Sequence, residues 1–194
     1  MIVYKATNKD MTCTMGDGKY KYILGATMKP TERKTAKCGH TGLHACEYVM
    51  DCMRYYSLES ARIFLAEAGG DIAEDGQNTR ISCEELTLIK ELDTREIARE
   101  AMRWMIRHSK RDGWQYSGSM AEVGQDIART ERRGAIAIAR GKDPEVMGTY
   151  GAHLGLIQED DGEIKAAVLF TVDGKKIQPN TWYGLDKLKE AGIG

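Results

Sequence analysis

The stretch SGSMAEVGQDIARTERRG, residues 117–134, decides how much of this chain is helical. Ser119 and Glu122 stand three residues apart, the spacing of a capping box. Met120, Val123 and Ile127 follow at helical intervals, and Gly134 stands where a helix would stop. The stretch therefore predicts a helix. The segment before it, DTREIAREAMRWMIRHSKRDG (93–113), predicts another. Asp93 and Glu96 have cap spacing, and Ile97, Ala98, Ala101, Met102, Met105 and Ile106 form one apolar stripe that Gly113 ends. Together they make 93–133 a helical pair.

On either side the pattern turns to strands. Downstream, GAIAIARG alternates with period two, and AHLGLIQ and EIKAAVLFTV flank a hairpin loop at EDDG. A further Asp-Gly turn follows in VDGK. This predicts an antiparallel β meander over 134–194. Upstream, MIVYKAT reads as a strand with Val3 and Lys5 on one face. Gly16-Asp17-Gly18 marks a turn, MKPTERKTAKCGHTG a loop, and HACEYVMDCMRYY a helix with Val49, Met50, Met53 and Tyr56 on one side. ARIFLAEA and RISCEELTLIKEL read as strands around a hairpin signal at Asp75-Gly76. The expected fold class is α+β: a mixed α/β unit over 1–92, the central two-helix segment 93–133, and the C-terminal β meander 134–194. No repeat of about 20–50 residues is present.

The chain of 194 residues is 42% hydrophobic, enough for a core, and its formal charge of −1 gives no global attraction to nucleic acid or anionic membranes. No apolar run reaches the roughly 18 residues of a membrane span, and MIVYKATNKDMTC lacks a signal-peptide pattern. The five cysteines form no CxxC pair. The expectation is a cytoplasmic protein of a bacterial cell with reduced thiols and no membrane partner.

The densest chemistry is CGHTGLHACEYVMDCMRYY, residues 38–56. Cys38, His40, His44 and Cys46, with Cys13 or Cys52, are ligand types for zinc, although their one-residue gaps are not the usual paired spacing. Cys46 near His44 also allows an activated nucleophile, whereas buried thiols would act as small apolar groups. A second candidate lies on the first expected helix. Arg95, Arg99, Arg103 and Arg107 step by four, with Lys110 and Arg111 beyond and Trp104 beside them. Such a ridge suits nucleic-acid phosphates or an acidic partner, or else pairs internally with Glu96 and Glu100.

Three stretches, YKATNKDMTC (4–13), CGHTGLHACEYVMDCMRYY and GTYGAHLGLIQEDDGEIKAAVLFTVDGKKIQPNTWYGL (148–185), resemble a protein family common in bacteriophages and prophages. The resemblance covers roughly 1–92 and 134–188. It implies a phage-related origin. Taken with the incomplete catalytic signature and the basic ridge, the expectation is a phage-encoded accessory protein that binds a host or defence-system protein, or a nucleoprotein complex, in the manner of anti-CRISPR inhibitors, with no cofactor. The order of VYK, GLH, MRYY and RISCEE is also similar to the ADP-ribosyltransferase-like fold. That likeness implies an NAD-dependent enzyme with Tyr4, His44, Tyr55 and Glu84 or Glu85 at its site, Lys5 standing where an Arg or His is expected. A structural or interaction role in the virion is a further alternative.

Overall fold

The computed structural model describes residues 1–15, 18–30, 42–74, 76 and 78–193. The chain divides into two compact units, Met1–Asp93 and Thr94–Gly194. Half of it is strand and 14% helix, which overturns the α+β expectation: the protein is mostly β.

Unit 1 holds β1 (Ile2–Asn8), β2 (Thr12–Met15), β3 (Gly18–Lys21), β4 (Thr27–Met28), β5 (Leu43–Cys46), the short α1 (Val49–Cys52), β6 (Ala61–Glu74) and β7 (Arg80–Glu91). β1 lies antiparallel between β5 and β6, and β7 pairs with both β5 and β6. The sheet therefore closes on itself as a small barrel, which removes the exposed edges an open sheet would leave. β4 adds to β7, and β2–β3 form a separate hairpin. Period-two alternation sends Val3, Leu43, Ala45, Phe64, Ala66, Ile81 and Cys83 into one core, where Tyr22 and Cys13 join them.

One expectation needs correction here. The helix expected across HACEYVMDCMRYY is confined to Val49–Cys52. His44 to Cys46 belong to β5, where they gain a ladder with Ser82 to Arg80 of β7 that a helix could not offer. The Gly16-Asp17 turn, the loop over 31–41 and Asp75 lie outside the described residues.

Unit 2 holds α2 (Thr94–Arg107), β8 (Tyr116–Gly118), β9 (Ala121–Thr130), β10 (Ile136–Gly148), β11 (His153–Asp160), β12 (Glu163–Thr171) and α3 (Leu185–Glu190). The second expected helix does not exist: residues 121–130 are strand β9. Nor is the C-terminal region an antiparallel meander, because β10 runs parallel to both β9 and β11. Ala121, Ile136 and His153 stand abreast. Parallel neighbours normally need a crossover of a dozen residues or more, yet only short turns at 131–135 and 149–152 link these strands. The strands solve this by bending. Asp126 has φ 61°, and the register shifts between Arg140 and Glu145, so each strand turns a corner midway and winds on as a coil of a short β-solenoid.

The corner explains why 117–134 resembles a helix. Ala121 and Val123 point inward before it, and Ala128 and Thr130 after it, while Ile127 is 59% exposed. Two short alternations interrupted by a bend imitate a three-to-four-residue period. A side chain at Gly124 would place its Cβ 2.3 Å from the Ile127 carbonyl oxygen, so the bend requires glycine there.

Inside the coils Ala128, Ala137, Ala139, Val146, Leu154 and Leu156 form the core that Phe170, Tyr183 and Leu188 complete. The opposite face of β10 and β11 receives α2 through Ile97, Ala98, Ala101, Met102 and Met105, all buried. The hairpin expected at EDDG is present: Asp161 and Gly162 have φ 54° and 79° between β11 and β12, the paired left-handed conformation of a two-residue turn. Among the described residues no helix is long and apolar enough to cross a membrane.

Candidate functional site

On unit 1, β1 and β5 bring two of the expected site residues close. Tyr4 is the register partner of Cys46, and His44 lies two residues further along β5, opposite Ser82 of β7. Tyr4 is only 6% exposed, and the Cys52 thiol donates to its carbonyl oxygen at 3.3 Å. The Cys46 thiol is hydrogen-bonded with that of Cys52 and buried, which together push it far above its ordinary pKa. A protonated buried thiol is neither a ready nucleophile nor a ready metal ligand. Cys38 and His40 lie outside the described residues. Among the described residues no group of three or more His, Cys, Asp or Glu side chains is placed to hold a metal ion.

The remaining expected residues of unit 1 do structural work. Tyr55 accepts a hydrogen bond from Asn78 Nδ2 at 2.9 Å and has the Arg80 guanidinium 5.4 Å over its ring. Glu84 accepts the Asp71 backbone N–H at 3.1 Å, beside Gly70, where β6 carries one residue more than its partner strand. Glu85 pairs with Lys29 at 2.6 Å. Tyr4 and His44 thus share neighbouring strands, while Tyr55, Glu84 and Glu85 are each held by other partners.

Two further charged groups of unit 1 are buried. Lys5 faces the barrel interior at 6% exposure, donating to the His44 carbonyl at 2.7 Å with its ammonium 5.0 Å from the Tyr22 ring centre. Asp51 is 2% exposed and accepts from Thr79 N–H, Thr79 Oγ1 and Arg54 Nε, pinning α1 to the start of β7. The alternation of MIVYKAT already put Lys5 on the face of Val3. Nothing in the sequence joined Asp51 to Thr79.

In unit 2, α2 sorts its residues sharply. Arg95, Arg103 and Arg107 are exposed and Arg99 half-buried on the side away from the sheet. Arg103 Nη1 lies 2.9 Å from Glu100 Oε1, the internal pairing that the spacing allowed. Trp104 is not part of this ridge. It is 5% exposed, stacked against His108 with centroids 4.9 Å apart and covered by the Arg111 guanidinium. At position i+1 from Arg103 it falls on the flank that packs inward, which corrects its expected place at an interface.

Below the C-terminal end of α2 sits a buried guanidinium that the sequence did not announce. Arg140 on β10 donates through Nε to Glu159 Oε2 at 2.7 Å and through Nη2 to the Ser109 carbonyl, and its Cζ stands 5.0 Å over the Trp114 ring. It fastens the turn after α2 to β10 and β11.

The family model of a domain of unknown function (DUF7666) matches residues 1–100, all of unit 1 and the first turns of α2, and the chain belongs to that family. No curated protein and no solved structure matches the chain.

Proposed function

We propose that this member of the DUF7666 family is a binding protein, an accessory factor of the kind phages carry, which engages a host or defence-system component through α2. The observation that carries the reading is the division of that helix. One face is buried on β10 and β11, and the other lines up Arg95, Arg99, Arg103 and Arg107 toward solvent. Glu100 offsets part of this charge, yet the ridge stays cationic along four successive turns, on a protein whose net charge is close to zero. A local field of this kind steers an acidic surface without drawing in every polyanion.

The test compares the native protein with an Arg99→Glu/Arg103→Glu variant as bait in bacterial lysate at about 0.15 M salt. A macromolecule retained by the native protein and lost by the variant, at equal melting temperature, is the expected result. Identical capture by both overturns the ridge. The same lysate supplied with labelled NAD tests the enzymatic alternative. Label transfer that disappears in His44→Ala would replace the binding reading with a transferase in unit 1.

A further inference from the structure

The solenoid of unit 2 stacks three loops at one of its corners, independently of α2. They are the turn 131–135 after β9, the turn 149–152 after β10, and the segment 172–177 after β12. Backbone bonds hold the layers in contact: His153 N–H to the Ala135 carbonyl, Gly151 N–H to the Val172 carbonyl, and Val172 N–H to the Ala152 carbonyl. The side chains these layers present outward are Arg132 and Arg133 from the first, Tyr150 from the second, and Lys175 and Lys176 from the third, all exposed.

The layers are fitted to one another at Tyr150. The Arg133 guanidinium stands 5.5 Å from its ring centre. Gly151, at φ +81°, lies under the Arg133 stem, where a Cβ would meet Cγ at 3.1 Å. Gly174, at φ +69°, lies against the ring edge, where a Cβ would meet Cδ2 at 3.3 Å. Glycine at both positions lets an arginine, a tyrosine and a lysine-bearing turn stack at the spacing of strands, about 4.8 Å per layer. Tyr150 nevertheless remains 51% exposed, an aromatic surface in water with the Arg133 guanidinium against its ring and the turn that carries Lys175 and Lys176 packed at its edge through Gly174.

Two acids belong to the same loops. Glu131 is exposed. Asp173 is turned onto its own loop, accepting Ile177 N–H at 2.9 Å and Lys175 N–H at 2.8 Å, and these bonds hold its carboxyl below the usual range. The four cations outnumber the two acids, and one of them, Arg133, lies against the ring.

We infer that this Arg133–Tyr150–Lys175 ladder binds single-stranded nucleic acid, one base stacking on the Tyr150–Arg133 surface and the neighbouring phosphates meeting Arg132, Lys175 and Lys176. An exposed aromatic ring beside an arginine and a lysine-bearing turn fits an unpaired base with its flanking phosphates. A duplex keeps its base faces stacked and closed to a side chain, and an acidic peptide offers no planar ring to stack. Recognition of this kind is tolerant of sequence and sensitive to salt.

The experiment is fluorescence polarisation of a labelled oligo(dT) with the full chain at about 50 and 150 mM salt. Binding is expected with Kd of about 10⁻⁶ to 10⁻⁴ M. Tyr150→Ala should weaken it about tenfold or more, and Tyr150→Phe should retain it, because stacking needs the ring and not the hydroxyl. Lys175→Glu/Lys176→Glu, on exposed positions that leave the core untouched, should flatten the slope of log affinity against log salt by about 0.7 for each phosphate that is no longer neutralised. The Arg99→Glu/Arg103→Glu protein should bind the oligonucleotide like the native chain, which separates failure of this ladder from failure of the α2 ridge. Two results would each overturn the inference: no binding up to about 10⁻⁴ M protein, or binding that Tyr150→Ala leaves unchanged.

Discussion

Unit 1 and unit 2 reach a closed β core by opposite routes. In unit 1 the closing strands run antiparallel to their neighbours, and the longest pair, β6 and β7, is joined by a hairpin. In unit 2 β10 lies parallel to both β9 and β11, so these two pairings each span a turn of chain, while β8 and β12 pair antiparallel at the ends of the sheet. The barrel carries its charge inside, with Lys5 on a carbonyl and a ring. The solenoid carries Arg140 on the outer side of its sheet, clamped by Glu159. Antiparallel closure lets adjacent segments find each other. Parallel coiling depends on glycines and buried polar ties that hold the bends.

The sharpest way to break this contrast is to remove a tie. Glu159→Leu leaves the Arg140 guanidinium, 3% exposed, without its carboxylate, and should destabilise unit 2 by about 3–5 kcal/mol in urea unfolding. Adding Arg140→Met should recover most of that loss, since an apolar pair replaces a broken ion pair. A loss that persists in the double variant would mean that the ion pair itself, and not the stranded charge, holds the turn.

Alkaline pH should act on the other unit. All five cysteines lie within Met1–Asp93. Burial pushes the Cys83 thiol from 9.0 up to about 11, and contact with Cys52 together with burial raises Cys46 as well. Below pH 9 the Cys83 thiol is protonated folded or unfolded, and the full stability is present. As pH rises from 9 toward 11 the unfolded chain releases its proton first, so stability falls, by about 2 kcal/mol from Cys83 alone. Unfolding of the Cys83→Ala protein over the same range should show a shallower loss. A decline equally steep in that variant would assign the effect elsewhere.

The smallest effect separates two uses of glycine. Gly124→Ala drives a Cβ into the Ile127 carbonyl and should cost unit 2 about 1–3 kcal/mol. Gly25→Ala in unit 1 meets nothing within 4 Å, so only its φ of +81° is strained and the expected loss is about 1 kcal/mol. Equal losses in thermal melts would remove the steric account of the solenoid corner.

What was legible follows the same division. The strands of unit 1 showed themselves because Val3, Phe64, Ala66, Ile81 and Cys83 alternate within their own segments. The EDDG turn was legible because its left-handed φ values favour Asp and Gly locally. Residues 117–134 misled because a coil repeats too briefly to register as a sequence repeat and a bend scrambles the period. The cap spacing of Ser119 and Glu122 was a local preference that parallel pairing with β10 overrode. Among the candidate residues, the arginine spacing on α2 was readable from the sequence. The burial of Trp104 was not, because the sheet beneath α2 decides which flank is covered.

By itself the amino-acid sequence determined β1, β6 and β7 of unit 1, the helix at 94–107 and its cationic face, because alternation, helical spacing and turn chemistry act over neighbouring residues. Only the tertiary structure decided that the first sheet closes as a barrel, that 121–130 is a strand, and that Arg133, Tyr150 and Gly174 meet at one corner. Those outcomes rest on hydrogen bonds and stacking between residues far apart in the chain, whose energy no local pattern records.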